Sequence, residues 1–93
     1  MTGAERDALA AMKAMVEKDL LRIASPHATD VMEIWNMNRV DLRFGILDAL
    51  SCSLQDNGRH NVPTMIDGRA WTLIIEVQPE FVVVTLFTDE EDR

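Results

Sequence analysis

The sequence predicts an α+β fold in which three N-terminal helices pack on a three- to four-stranded, mainly antiparallel sheet. Apolar residues in the first half of the chain recur three and four positions apart, which is the spacing of helices. From Ser51 onward the pattern changes to the alternation that is typical of strands. Two β-branched runs, Arg69–Val77 and Phe81–Thr88, flank the turn signal Gln78-Pro79-Glu80, and this arrangement predicts a β-hairpin.

The first helix is predicted over Ala4–Leu21, with Thr2 or Gly3 as its cap. Its apolar residues share one face: Leu9, Met12, Met15, Val16 and Leu20. A short strand is predicted at Leu21–Ala24, and the alternative is that these residues end the helix.

Two further helix starts follow. Ser25 as N-cap and Pro26 at the first helical position predict a helix over Pro26–Met37. Its apolar stripe comprises Ala28, Val31, Met32 and Trp35. Asn38 as N-cap and Asp41 in the first turn predict a third helix. The stripe expected to face the core comprises Val40, Phe44, Leu47 and Leu50. Gly45, inside this helix, indicates close approach to a neighbouring helix.

The middle of the chain predicts one strand and two turns. Ser51–Gln55 is a predicted strand, and Asp56-Asn57-Gly58 is a strong turn signal. Arg59–Met65 is polar and contains Pro63, so we expect a loop or an edge segment there. Asp67-Gly68 predicts a second turn. The last strand is apolar on both faces, so it is predicted to be central in the sheet.

Length and charge limit the possible partners. The 93 residues predict one domain over residues 1–88 and an acidic tail over 89–93. The net charge is −7, and residues 61–93 contribute −5 of it, with seven acids and two bases. This charge opposes binding to a polynucleotide and suits a basic protein, or serves only solubility. A candidate docking strip for a basic partner is Asp89, Glu90, Glu91 and Asp92, and the alternative is a solvated tail.

Cysteine content and hydropathy indicate a protein of the reducing cytoplasm. Cys52 is the only cysteine, so the chain can form no internal disulfide and no zinc site from several thiolates. The two histidines are far apart and match no zinc spacing, so no metal or cofactor is expected. We expect no signal peptide, no transmembrane segment and no membrane partner.

The order of predicted elements resembles that of the RelE-like toxin superfamily. The MqsR family of toxin–antitoxin ribonucleases is similar to this chain in residues 9–17, in Arg22–Ser25 and in the paired apolar strands of residues 69–87. A group of small uncharacterised domains has a His-Ala-x-x-Arg-Met helix start that resembles Pro26–Met32, although Val31 stands where that group has arginine. The resemblance covers roughly residues 9–88 and implies a RelE-like fold.

The resemblance also implies RNA cleavage. Cleavage requires a base for the 2′-hydroxyl, an acid for the leaving oxygen and cations on the phosphate. The candidate catalytic residues are Arg59, His60 and Arg69, while His27 and Arg43 are further titratable or cationic groups. Arg59 and His60 follow a turn, so they are expected to be exposed, and the alternative is a solvated loop pair without catalytic function.

Several positions depart from the ribonuclease pattern. Trp71 stands near the position of a tyrosine in MqsR-type enzymes, and Thr88 and Asp89 stand where those enzymes have a lysine. Their central lysine and glutamine have no match between Asp56 and Met65 other than the two candidates already given. Trp71 is instead a candidate partner-binding residue at the start of a strand, or a core residue.

Three functions follow from these observations. The first is a toxin–antitoxin-family domain that binds protein, with its ribonuclease activity weakened or lost. The second is an active endoribonuclease with a changed site, which would bind RNA. The third is an acidic inhibitor of a nuclease or of a nucleic-acid-binding complex, such as an immunity protein or a phage anti-defence protein. The expected partner is an antitoxin or a basic nucleic-acid-binding protein.

Overall fold

The computed structural model describes residues 1–87, which form three helices and a five-stranded mixed sheet. In chain order the elements are α1 (Gly3–Glu17), β1 (Leu21–Ile23), α2 (His27–Ile34), α3 (Arg39–Asp48), β2 (Ser53–Leu54), β3 (His60–Ile66), β4 (Arg69–Val77) and β5 (Val82–Phe87). The strand order is β1-β5-β4-β3-β2; β1 runs parallel to β5, and the other neighbouring pairs are antiparallel. The α+β class is confirmed, but the sheet has five strands and one parallel pair. Thr88 and the acidic run lie outside the described residues.

One face of the sheet is covered by the helices and forms the core. Alternate strand residues are buried on this face, namely Leu21, Val62, Ile66, Trp71, Leu73, Ile75, Val82, Val84 and Leu86. The helices contribute Leu9, Met12 and Val16 from α1 and Ala28, Val31 and Met32 from α2, as predicted. The residues between them on the strands form a second face that is half-buried or exposed, which we call the open face of the sheet.

Helix α1 ends four residues before the predicted boundary. Asp19 adopts a left-handed backbone with φ of 61°, and its N–H donates to the Val16 carbonyl at 3.0 Å. The Leu20 N–H donates to the Met15 carbonyl at 2.9 Å. These two bonds form a Schellman C-cap, which satisfies carbonyls at the helix end. Leu20 therefore lies outside the helix and is exposed.

The helix starts agree with the sequence in two of three cases. Thr2 and Glu5 form a capping box at α1, and Asn38 and Asp41 form one at α3. The predicted cap at Ser25 is wrong. The helix begins at His27, and Pro26 occupies the cap position without a side-chain hydrogen bond.

Helix α3 packs on β3 with the side opposite to the predicted one. Its buried residues are Leu42, Gly45 and Ile46, while Val40 and Phe44 of the predicted stripe are exposed. Both sets of residues have helical spacing, so the pattern alone does not distinguish them. Gly45 decides the orientation: the Thr64 hydroxyl donates to the Gly45 carbonyl at 2.7 Å, and this close approach leaves no room for a side chain.

Of the two alternatives for Arg59–Met65, a loop or an edge segment, the loop is wrong, since β3 occupies most of these residues and pairs with β4 along its length. A two-residue turn at Asp67 and Gly68, both with positive φ, closes this hairpin. In such a hairpin the closing pair is hydrogen-bonded and the pairs alternate from there, so Pro63 and Thr72 form a non-hydrogen-bonded pair. Pro63 therefore fits a strand because its missing N–H would have pointed away from β4.

The C-terminal hairpin is confirmed. The Gln78 N–H donates to the Phe81 carbonyl at 2.9 Å, and β4 and β5 pair from Thr72↔Phe87 to Val77↔Val82. β5 lies between β1 and β4, so it is central, as its two apolar faces predicted. In the part of the chain that the structure describes, no helix is long and apolar enough to cross a bilayer.

We expect Gly45→Ala to destabilise the fold although alanine favours helices. A β-carbon at this position would lie 2.9 Å from both Cγ1 and Cδ1 of the buried Ile66. Overpacking of this kind costs about 1–3 kcal/mol, against a helix-propensity gain of about 1 kcal/mol, so we expect a net loss of about 1 kcal/mol. Urea denaturation measures this loss.

Two comparisons test the cause of the Gly45→Ala effect. Ile66→Val removes Cδ1, so Gly45→Ala should cost less in that background. Gly3→Ala adds a β-carbon where no atom lies within 4 Å, so it should cause no loss. A Gly45→Ala protein as stable as the wild type would contradict the argument.

Candidate functional site

His60 is buried, contrary to the expectation of an exposed loop residue. It is the first residue of β3, lies opposite Ile75 of β4 and Leu54 of β2, and is 9% exposed. Its side chain shares the helix-covered face of the sheet. The Nδ1 atom is buried and has no hydrogen-bond partner within residues 1–87.

Arg59 lies on the open face of the sheet. Its Nε is 3.6 Å from Oε1 of Glu76, and Glu76 also accepts a hydrogen bond from the Gln78 side chain. Consecutive residues of an extended chain point to opposite faces, so Arg59 and His60 are separated by the sheet. The half-exposed ion pair contributes little to stability, but it places a carboxylate beside the Arg59 guanidinium.

Arg69 lies at the far end of β4. Its guanidinium carbon stacks over the Trp35 ring at 4.2 Å from the centroid. Ile75, which is opposite His60, lies at the other end of the same strand, and a rise of ~3.3 Å per residue puts about 20 Å between Arg69 and Ile75. The structure therefore does not bring Arg59, His60 and Arg69 together.

Trp71 is buried in the core and is not half-exposed. Its ring meets Trp35 edge-to-face, with the centroids 5.7 Å apart and the planes at 88°. Trp71 thus helps hold α2 on the sheet. The other predicted binding residues, Asp89, Glu90, Glu91 and Asp92, lie outside the described residues.

The two remaining candidates, His27 and Arg43, lie on different helices. His27 is exposed at the start of α2. The Arg43 Nη2 donates to the Glu17 carbonyl at 3.1 Å and so ties α3 to the end of α1. Among residues 1–87, no three His, Cys, Asp or Glu side chains are grouped so as to hold a metal ion.

The exposed side of α3 is the surface that the sequence reasoning missed. Val40, Phe44 and Leu47 form this surface, which we call the α3 outer face. Val40 is 52% exposed and Phe44 is 59% exposed, while Leu47 is partly buried. The signal was present in the sequence, because α3 is apolar on two sides and only one side can face the core.

A second apolar surface lies between the end of α3 and β3. It is a groove of about 530 Å³, which we call the β3 groove. Residues that line it include Asp48, Leu50, Ser51, Pro63, Met65 and Thr72. Leu50 is 88% exposed and Met65 is 58% exposed. Within residues 1–87, Asp48 is the only charged residue of the lining.

The open face of the sheet carries little net charge. The Arg22 guanidinium stacks on Phe81 at 4.0 Å from the ring centroid, and Arg59 pairs with Glu76. A shallow depression between β4 and β5 is lined by Ile74, Val83, Thr85 and their neighbours. The described part of this face therefore offers no acidic strip to a basic partner.

Glu5 joins the start of α1 to β2. Its Oε1 accepts the Thr2 N–H at 2.8 Å and its Oε2 accepts the Leu54 N–H at 2.9 Å. These hydrogen bonds lower the pKa of the Glu5 carboxyl below its ordinary value. The Cys52 thiol donates to the Glu5 carbonyl at 3.1 Å, and burial, followed by the Glu5 charge, raises the pKa of that thiol. Cys52 is therefore an inert buried thiol.

Comparison with known proteins gives no relative of this chain. No protein-family model matches it. No curated protein and no solved structure matches it either. We therefore infer its function from the described side chains.

We expect Glu5→Gln to flatten the loss of stability in acid. The pKa of Glu5 is lowered by folding, so its contribution is present above the ordinary value of 4.5 and is lost as the pH falls through the lower, folded value. Without the carboxylate this part of the pH dependence disappears. Thermal melting at a series of pH values below 4.5 measures the slope.

Asp7→Asn is the matched control, because Asp7 is an exposed acid of the same helix. It removes one negative charge from α1 without removing the bonds to Thr2 and Leu54. If Glu5→Gln and Asp7→Asn change the slope equally, the hydrogen bonds are not the cause.

Proposed function

We propose that this chain is a RelE/MqsR-like toxin-family domain that acts by binding another protein, with ribonuclease activity weakened or lost. The order of the elements supports this proposal: helix, short strand, two helices and then antiparallel strands is the order on which the resemblance rests. The partner is an antitoxin or a basic nucleic-acid-binding protein, and RNA is bound only if the chain is active. We expect it to act in the cytoplasm.

The separation of the cationic groups supports the loss of ribonuclease activity. RNA cleavage needs a base, an acid and cations around one phosphate. Arg59 is paired with Glu76 on one face of the sheet, His60 is buried on the other, and Arg69 is stacked on Trp35. A phosphate could not contact all three of the candidate side chains in this arrangement.

The α3 outer face is the single observation that carries the binding function. Large apolar side chains left in water on a helix that already buries its other side indicate a contact surface. Full burial of a Val or Phe side chain is worth about 1.5–3 kcal/mol, so covering the exposed half of Val40 and Phe44 would contribute on the order of 2–3 kcal/mol. That is enough for one substitution to change affinity measurably.

We expect expression of the wild type to leave growth unchanged and the purified protein to leave RNA intact. A protein partner recovered from the native host and then purified should bind the wild type, and Phe44→Asp should weaken binding about tenfold or more because a carboxylate would enter an apolar contact. Isothermal titration calorimetry measures this affinity.

Ile34→Asp is the control for Phe44→Asp, since Ile34 is 77% exposed on α2 and not on α3. Its affinity should equal that of the wild type. Growth arrest that is relieved by His60→Gln in a protein that still folds would instead establish the active endoribonuclease. Equal affinity of the wild type and Phe44→Asp for the partner would remove the α3 outer face from the proposal.

A second candidate is an acidic inhibitor of a basic nuclease or nucleic-acid-binding complex, favoured by the net charge of −7. It would bind through long-range electrostatic attraction, which salt screens. Neutralising Asp89, Glu90, Glu91 and Asp92 together to the amides should slow association and flatten its salt dependence, as measured by surface plasmon resonance. Association that depends neither on salt nor on these residues would exclude this candidate.

A further inference from the structure

The outer edge of β3 has main-chain groups that no strand covers. β2 pairs with β3 only at Asn61 and His60. The Asn61 main chain therefore faces β2, and by alternation the main chains of Pro63 and Met65 face the same way, beyond the end of β2. Within residues 1–87 neither the Pro63 carbonyl nor the Met65 N–H and carbonyl has a main-chain partner.

The two edges of the sheet are treated differently. At β1, the outward-facing Leu21 carbonyl accepts a hydrogen bond from the Arg39 guanidinium, which Asp19 holds in place. A side chain thus closes that edge, as proteins commonly do to prevent strand addition. At β3, Pro63 removes one donor, but nothing in the described chain covers Met65.

The open edge lies beside the β3 groove. Met65 and Pro63 belong to both, and the exposed Leu50 borders the groove from the connection between α3 and β2. A strand added next to β3 would place alternate side chains into this groove, because successive side chains of a strand point to opposite faces. Main-chain bonds would provide affinity, and the groove would select the side chains.

The added strand could come from a second copy of this chain or from another protein, and charge favours another protein. Among the described residues that line the groove, Asp48 alone is charged, and the chain has a net charge of −7. Two copies paired edge to edge would bring like charges together, which is unfavourable. A segment with a lysine or arginine among apolar residues would instead pair with Asp48.

We propose that the β3 groove binds an extended segment of a partner protein, which adds a strand to β3 at Met65 and pairs a basic side chain with Asp48. This inference rests on the proposed protein-binding function and states how the partner is held. The α3 outer face and the β3 groove share no residue, so each can be tested by substitutions of its own.

The probe is the synthetic peptide acetyl-Val-Thr-Lys-Thr-Val-Thr-amide, in which the lysine and both valines share one face. It is compared with the same peptide carrying glutamate in place of lysine. We expect the lysine peptide to shift the amide signals of Met65 and Leu50 in ¹⁵N-HSQC titrations and to bind at least about tenfold more tightly than the glutamate peptide. Asp48→Lys should reverse this preference. Shifts confined to the α3 outer face, or no shifts at about 1 mM peptide, would overturn the inference.

Different substitutions test the main-chain hydrogen bonds of β3 and the side-chain contacts of the groove. Met65→Pro removes the outward N–H, and Leu50→Glu places a charge at the groove margin; each should weaken lysine-peptide binding about tenfold or more. Leu50 is highly exposed, so Leu50→Glu should fold normally. It tests the inference even if Met65→Pro does not fold. Ile34→Glu is the control and should bind like the wild type. Binding unchanged by Leu50→Glu would overturn the inference.

The purified host partner distinguishes this inference from the proposed function. If Phe44→Asp weakens partner binding and Leu50→Glu does not, the groove inference fails and protein binding stands. If growth arrest and RNA cleavage are found, the proposed function fails whatever the peptide does. Concentration-dependent dimerisation of the wild type that Leu50→Glu abolishes would identify a second copy as the occupant and overturn the proposal.

Discussion

The contact between Gly45 of α3 and the two β3 residues Thr64 and Ile66 determines which side of α3 faces solvent. The Thr64 hydroxyl bonds the Gly45 carbonyl at 2.7 Å, and the Ile66 side chain fills the space where a β-carbon would lie. Only the side of α3 that bears the glycine can approach β3 so closely. The outer residues of α3 are exposed for this reason, and the end of the helix stands beside the edge of β3.

Local signals predicted the parts of the fold that depend on local chemistry. The capping box at Asn38 and the turn at Asp67-Gly68 could be predicted because the residues that form them are adjacent or three apart. The exposed side of α3 could not, because two apolar stripes with the same spacing competed and a contact between distant residues decided between them. For a related reason the sequence left β3 open as a loop or an edge segment: Pro63 excludes a strand only when its missing N–H faces a partner, and the sequence does not specify which way it faces.

The candidate site shows the same limit more strongly. Arg59 and His60 are neighbours in sequence, and their proximity suggested a shared function. In an extended chain neighbours point to opposite faces, so adjacency in β structure separates side chains. Arg69 was grouped with these two residues as a catalytic candidate by its residue type alone. It lies at the opposite end of β4 from the residue that pairs with His60.

The parallel pairing of β1 with β5 has a consequence for synthesis of the chain. Leu21 pairs with Val82, so β1 can find its neighbour only after residues 22–81 have been made. Until the last hairpin leaves the ribosome, the apolar side of α2 has no β5 to cover. Strand pairs between residues far apart in sequence form late and slowly, and a partly folded chain exposes apolar surface until they form. Completion of this sheet therefore waits until β5 has left the ribosome.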